Sequence, residues 1–121
     1  MKISYVVLYV SDPVACFKFW TEKFGMIEKD RKVAGDFNIS KVGFADQDFS
    51  FELVPLDLMK DNPDGLDLAT PSIALSVSDL NKIHTDLTAK GVETSEIGQH
   101  GGIESFGFCD NEGRWFAVVN A

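Results

Sequence analysis

The sequence predicts an α+β fold of two tandem βαβββ modules, whose strands form a curved mixed sheet around a cleft. Three observations predict it: an internal repeat, a helix-start signal in each copy, and strands with alternating side chains. The repeat is clearest in Tyr5–Asp12 (YVVLYVSD) and Ser72–Asp79 (SIALSVSD). Each is an aliphatic run closed by Val-Ser-Asp. A pattern repeated in the same order along a chain indicates repeated structural units.

A second pair of segments extends the repeat. Segments 43–54 and 107–119 both begin Gly-Phe-x-Asp and end in an apolar run, and the inserted Gly113 makes the second segment slightly longer than the first. The two pairs of segments occur in the same order in both halves of the chain. The sequence therefore predicts one domain, 1–121, made of two repeats (about 1–55 and 71–121) and joined by the polar linker 56–70.

The first copy has the pattern of a strand, a helix and three strands. Alternating or apolar runs predict strands at 3–10, 27–34, 37–45 and 48–55. Asp12 followed by proline is a typical helix start, because aspartate accepts a free N–H and proline at the first position loses no hydrogen bond. Phe17, Trp20 and Phe24 recur at helical spacing, with Phe19 widening the apolar stripe. Gly25 is then expected to end this helix.

The second copy repeats that order of elements. Its strands are predicted at 71–78, near 92–97, at 103–109 and at 114–120. A helix over 80–90 should begin after Asp79 and end before Gly91. Its apolar stripe consists of Leu80, Ile83 and Leu87.

Composition and charge exclude several function classes. The formal net charge is −8 and the pI about 4.5, and no basic stripe occurs, which argues against a nucleic-acid partner. No apolar run approaches the roughly 20 residues of a membrane span. Met1 is followed almost at once by a predicted strand rather than a signal peptide. The two cysteines fit reduced thiols, so we expect a cytoplasmic protein.

Side-chain alternation predicts which residues line the cleft. In the first strand, Val6, Leu8 and Val10 should pack under the helix, which leaves the other side of the strand for the cleft. Trp20 is a weaker candidate for an aromatic wall, because its helical stripe favours the core. An apolar and aromatic lining with few polar groups is typical of a small-molecule site. The predicted ligand-binding residues are Tyr5, Val7, Tyr9, Phe37, Ser50, Glu52, Ser72, Phe106, Trp115 and Ala117.

These residues carry a family resemblance that covers essentially the whole chain. The segment Val10–Met26 resembles the first strand end and helix of the vicinal oxygen chelate superfamily, which includes glyoxalase I, extradiol dioxygenases and the fosfomycin and bleomycin resistance proteins. The turn at 110–113 (DNEG) resembles the Asp-Pro-Asp-Gly turn before that family's last strand. The resemblance implies the same duplicated fold and a homodimer.

The resemblance also bears on metal binding. Metalloenzymes of the superfamily hold a divalent metal with His, Glu, His and Glu on strands one, four, five and eight. The matching positions here are Tyr5, Glu52, Ser72 and Ala117, so only the glutamate survives. A catalytic zinc site usually needs three protein ligands, and we therefore expect no cofactor. A divalent metal held by Glu52, His100 and one unforeseen ligand stays open as an alternative.

Three functions follow from these observations. The sequence favours a metal-free binding protein that resembles the bleomycin resistance proteins and sequesters a cationic or aromatic small molecule, with Glu52 pairing a ligand cation; antibiotic resistance would be its role. The alternative is an enzyme, either a lyase or isomerase with Glu52 as base or a dioxygenase-like enzyme with a non-standard metal site. The third is a small accessory domain whose cleft is filled by its own side chains and whose role is dimer contact. No catalytic residue is assigned, because Ser72 lacks a nearby base and neither cysteine has an evident cationic neighbour.

Overall fold

The computed structural model describes residues 1–121, apart from the side chain of His100. The chain divides into two compact units, Met1–Thr70 and Pro71–Ala121. Each unit contains a four-stranded mixed sheet and one main helix. The predicted α+β fold of two βαβββ modules is therefore confirmed. Among the described residues, no helix has the length and hydropathy that a membrane crossing requires.

The first module contains four strands and one main helix. They are β1 (Tyr5–Val10), α1 (Pro13–Lys18), β2 (Ile27–Ala34), β3 (Phe37–Gly43) and β4 (Ser50–Pro55). The strand order is β1-β4-β3-β2, with β1 parallel to β4 and the other pairs antiparallel. A short 3-10 helix, Leu56–Met59, follows the sheet.

The second module repeats this arrangement. Its elements are β5 (Ala74–Val77), α2 (Leu80–Ala89), β6 (Gly98–His100), β7 (Ile103–Cys109) and β8 (Trp115–Asn120). The order β5-β8-β7-β6 corresponds to that of the first sheet. The strand expected near 92–97 begins later, at Gly98. Before it, the backbones of Glu93 and Ser95 each make a hydrogen bond to β7, of 2.9 and 2.8 Å.

The strand register reproduces the sequence repeat. In the first sheet Val7 lies opposite Glu52. The repeat aligns Val7 with Ala74 and Glu52 with Ala117, and these two alanines lie opposite each other in the second sheet. The same parallel pairing is therefore built twice, and the insertion of Gly113 leaves it unchanged.

Both predicted helix starts are confirmed, and a glycine follows each helical segment as predicted. The Asp12 carboxylate accepts the backbone N–H of Ala15, and the Asp79 carboxylate accepts that of Lys82, each at 3.1 Å. Glycines follow the two helices, at positions 25 and 91, with φ of 72° and 81°. This left-handed conformation costs glycine little, which explains why both copies place it there.

The first helix departs from prediction in its second half. The α-helix ends at Lys18 and continues as a wider π-helical segment, Phe19–Lys23. The widening accompanies burial of two consecutive aromatic side chains, Phe19 and Trp20. The Trp20 ring is fully buried and lies 5.1 Å from that of Phe51 on β4. Trp20 thus belongs to the core under the helix and is no ligand wall.

Gly43 and Gly107 occupy equivalent positions of the repeat, but only Gly43 is sterically confined by backbone. A Cβ at Gly43 would lie 2.5 Å from the Phe49 carbonyl oxygen, whereas one at Gly107 would meet first the Trp115 ring, at 3.2 Å. Because a side chain can move more easily than a strand, we expect Gly43→Ala to lower the free energy of unfolding by about 1–3 kcal/mol and Gly107→Ala by less. Urea denaturation of both variants measures this difference. Equal losses would contradict the assigned cause.

Candidate functional site

One face of the first sheet carries most of the predicted ligand-binding residues. Parallel pairing sets Tyr5 opposite Ser50, Val7 opposite Glu52 and Tyr9 opposite Val54, so these side chains share one face. The other face carries Phe51, which contacts Trp20 of the helical segment. We call the first one the Glu52 face. It consists of Tyr5, Val7, Tyr9, Ser50, Glu52 and Val54, with Phe37 and Lys41 of β3 and Lys32 of β2.

The second module places its predicted residues less uniformly. Trp115 and Ala117 share one face of β8, and Trp115 is 52% exposed. Ser72 is exposed and precedes β5. Phe106, predicted as an aromatic wall of the ligand site, lies on the opposite face of the sheet from Trp115. It lies opposite Val118 in the register and packs edge-on against His84 of α2, with 4.8 Å between ring centroids, so it belongs to the helix side.

Glu52 is the most unusual residue of the Glu52 face, because its charged side chain has only 8% of its surface exposed. Its Oε2 atom lies 3.5 Å from Lys32 Nζ and 4.0 Å from Lys41 Nζ. Among the side chains that the structure describes, none donates a hydrogen bond to this carboxylate. Buried carboxylates normally have hydrogen-bonded partners, so Glu52 retains unused acceptor capacity.

Lys41 connects the carboxylate to an aromatic ring. It is the cross-strand partner of Glu52, and its ammonium nitrogen lies 3.9 Å from the centroid of the Tyr5 ring. This is cation–π distance. The Lys41 side chain is 24% exposed, against 59% for that of Lys32. Tyr5, Lys41 and Glu52 therefore form one polar and aromatic cluster on the Glu52 face.

Both lysines were missed when the sequence was considered alone. Lys32 and Lys41 lie in correctly predicted strands, but their nearness to Glu52 depends on which strands pair. Alternation along β3 does set Lys41 on the same side as Phe37. The antiparallel pairing of β3 with β4 then sets Lys41 opposite Glu52, and this pairing was the missing step in the prediction.

The side chains available do not fit a catalytic divalent metal. The positions that correspond to metal ligands in the superfamily carry Tyr5, Glu52, Ser72 and Ala117, and two ammonium groups already surround the single carboxylate. Nowhere in the described part of the chain do three His, Cys, Asp or Glu side chains gather as a metal site would require. The side chain of His100 lies outside the described residues, so the alternative through Glu52 and His100 stays a prediction.

The described residues also offer no activated nucleophile. Burial raises the pKa of the Cys109 thiol, and the carboxylates of Glu93 and Asp110 raise it further. A thiol with a raised pKa is protonated at neutral pH and is a poor nucleophile. Cys16 is a fully buried, reduced thiol. The Nε2 atom of His84 lies 2.9 Å from the Ser95 carbonyl oxygen, at hydrogen-bond distance.

A pocket of about 270 Å³ lies on the opposite, helix side of the first module. Its lining consists of Pro13, Val14, Phe17, Arg31, Asn38, Ser40 and Leu53. Its charged group, Arg31, is already paired with Glu28 at 2.7 Å. We regard the Glu52 face as the better candidate site, because its buried carboxylate accepts no hydrogen bond from the described side chains, whereas Arg31 already donates two hydrogen bonds to Glu28.

Comparison with known proteins relates this fold to binding proteins and enzymes. The structure of UcmS2 superposes with a TM-score of 0.82 at 20% identity, covering 100% of this chain and 98% of that one. TnmS3, an antibiotic binding protein from Streptomyces sp. CB03234, gives 0.80 at 16% identity, with 99% and 95% covered. A glyoxalase I mutant from Zea mays gives 0.75 at 22% identity, covering 98% of this chain and 44% of that one. At these identities the likeness concerns the fold.

The sequence itself identifies the family. No protein with a curated functional description matches the chain. Residues 2–118, however, match the Glyoxalase/Bleomycin resistance protein/Dioxygenase superfamily. That match extends over nearly the whole chain and agrees with the two βαβββ modules. The chain therefore belongs to the glyoxalase/bleomycin resistance protein/dioxygenase superfamily.

Proposed function

We propose that this protein binds a small aromatic molecule non-covalently on the Glu52 face, without a metal cofactor. The observation that carries the proposal is the Glu52 carboxylate, which is more than nine-tenths buried and accepts no hydrogen bond from the described side chains. A fold shared with an antibiotic binding protein supports a binding role. The proposal includes a cytoplasmic protein and the homodimer implied by the resemblance.

The chemistry of the Glu52 face suits recognition of a planar molecule. The Glu52 oxygens accept no hydrogen bond from the described side chains, so they can accept one from a ligand hydroxyl or N–H. The Tyr5, Tyr9 and Phe37 side chains share this face and offer aromatic surface. Aromatic contacts supply affinity, and the few polar groups orient the ligand.

A second candidate function is a lyase or isomerase that uses Glu52 as general base. The same unbonded carboxylate favours it, since a general base must reach a substrate proton directly. This candidate differs from the first in requiring turnover. A bound compound recovered chemically unchanged after prolonged incubation supports binding alone.

Thermal unfolding tests the binding proposal. A panel of planar aromatic compounds bearing hydroxyl or amide donors should include at least one that stabilises the protein, because a ligand at 100 times its Kd adds about 2.7 kcal/mol. Glu52→Gln should weaken the binding of that compound about tenfold, because one charged hydrogen bond is lost. Glu22→Gln, at an exposed helical position, is the matched control.

Divalent metals provide the opposing measurement. Zinc, manganese or nickel ions, and EDTA, should leave the unfolding temperature unchanged. A metal-dependent rise that EDTA reverses would overturn the metal-free part of the proposal.

Sedimentation equilibrium of the protein at micromolar concentration tests the homodimer, and a monomer mass would overturn that part of the proposal.

A further inference from the structure

We propose that the ligand presents an ionised acidic group, a carboxylate or phenolate, to Lys32 and Lys41. This rests on the proposed function and specifies the ligand's chemical class. The sequence alone predicted a ligand cation paired with Glu52. In the structure that carboxylate already has two ammonium groups within 4.0 Å. The cluster therefore carries one positive charge more than Glu52 neutralises.

No other described carboxylate lies within 4.0 Å of either ammonium group. Asp30 is the cross-strand partner of Lys41 in the β2–β3 register, yet it forms no ion pair with either lysine among the described side chains. Its carboxylate accepts the backbone N–H of Arg31 at 2.9 Å instead. Arg31 itself pairs with Glu28. Lys29 donates to the carbonyl oxygen of Gln47.

The position of Lys41 specifies the geometry of recognition. Its ammonium lies over the Tyr5 ring, and no described group accepts a hydrogen bond from it. Three N–H donors are therefore available, beside an aromatic surface. An aromatic acid could bring its ring near the tyrosine while its anionic oxygen accepts from the ammonium. Such charge-assisted hydrogen bonds are shorter and stronger than neutral ones.

A cationic ligand would meet the opposite situation. To reach Glu52 it would approach two like charges that lie 3.5 and 4.0 Å from the carboxylate, where repulsion offsets the attraction. The net charge of −8 disfavours anions at long range. Salt screens that long-range effect beyond about 8–10 Å, however, and contact distances decide binding.

Three probes on one ring system separate these possibilities. They are 2-naphthoate, which is anionic, 2-naphthamide, which is neutral, and 2-(aminomethyl)naphthalene, which is cationic. Isothermal titration calorimetry of the intact protein at neutral pH and about 0.15 M ionic strength, where the long-range effect of the net charge is screened, gives each Kd. We expect 2-naphthoate to bind about tenfold or more tightly than the amine, because one charge-assisted contact is worth about that ratio.

Variants then locate the charge preference. Lys41→Gln and Lys32→Gln should each raise the Kd of 2-naphthoate about five- to tenfold. The same variants should change the Kd of 2-naphthamide by less than about twofold. Lys60→Gln removes the same charge from an exposed linker position and should change neither of these Kd values. Circular dichroism shows whether each variant is folded, and the more exposed Lys32 provides a second test if Lys41→Gln unfolds.

The outcomes distinguish the two proposals. Binding of the amide and the amine without the naphthoate overturns the acidic-ligand inference and leaves the binding function standing. Failure of all three probes to bind argues against the proposed function, and the inference fails with it. Equal weakening of naphthoate and naphthamide by Lys41→Gln would assign Lys41 a structural role and overturn the inference.

Discussion

Replacing Trp20 with alanine is expected to lower the free energy of unfolding by about 3–5 kcal/mol, as for other large buried aromatics. The Trp20 side chain has no exposed surface. Its ring lies 5.2, 5.0 and 5.1 Å from those of Phe19, Phe24 and Phe51. Removing it would leave a cavity at the contact between the first helix and β4, where the surrounding rings are held by strand and helix backbone.

The second tryptophan is a matched control for this prediction. Trp115 is 52% exposed at the start of β8, so the same substitution removes far less buried surface. We expect Trp115→Ala to lower the free energy of unfolding by less than about 1 kcal/mol. Equilibrium urea unfolding of both variants measures the two losses. Similar losses would mean that Trp20 is not the centre of the first module's core.

Replacing Asp110 with alanine is expected to cost about 3–5 kcal/mol of unfolding free energy, because a buried ion pair and two hydrogen bonds to the backbone are lost. The Asp110 side chain is fully buried, and its Oδ2 lies 2.8 Å from Arg114 Nη2. Its Oδ1 accepts the backbone N–H groups of Glu112 and Arg114, each at 2.9 Å. The Asp110 carboxylate thus bonds to both the backbone and a side chain of the turn before β8.

The repeat supplies the control for Asp110. Asp46 stands at the equivalent place in the first module, also after Gly-Phe-x, but it is exposed. Asp46→Ala should change the free energy of unfolding by less than about 0.5 kcal/mol, as is usual for surface substitutions. The two variants belong in one chemical denaturation series. A large loss for Asp46→Ala would show that the two turns are equivalent after all.

Local pattern predicted the parts of this protein that depend on neighbouring residues in the chain. Alternation assigned Tyr5, Val7 and Glu52 to one face, and the strand register agrees. The capping residues Asp12 and Asp79 were predicted correctly, because a cap needs only the first helical turn. The alignment of the two repeats agrees with the strand pairing of the second sheet.

The features that were missed all depend on contacts between distant residues. The helix-side position of Phe106 follows from its place opposite Val118 and its contact with His84. The π-helical segment accompanies the packing of Phe19 and Trp20 in the core. Neither can be read from a single segment, since tertiary packing overrides local preference.

The sequence by itself determined the duplicated βαβββ scaffold and the two capped helices, since each depends on residue identity at short or repeated spacing. Only the tertiary structure decided the charge around Glu52. Lys32, Lys41 and Glu52 lie on three different strands, and their ammonium and carboxylate groups approach because those strands pair in one register. A carboxylate that looked isolated in the chain is thereby surrounded by positive charge.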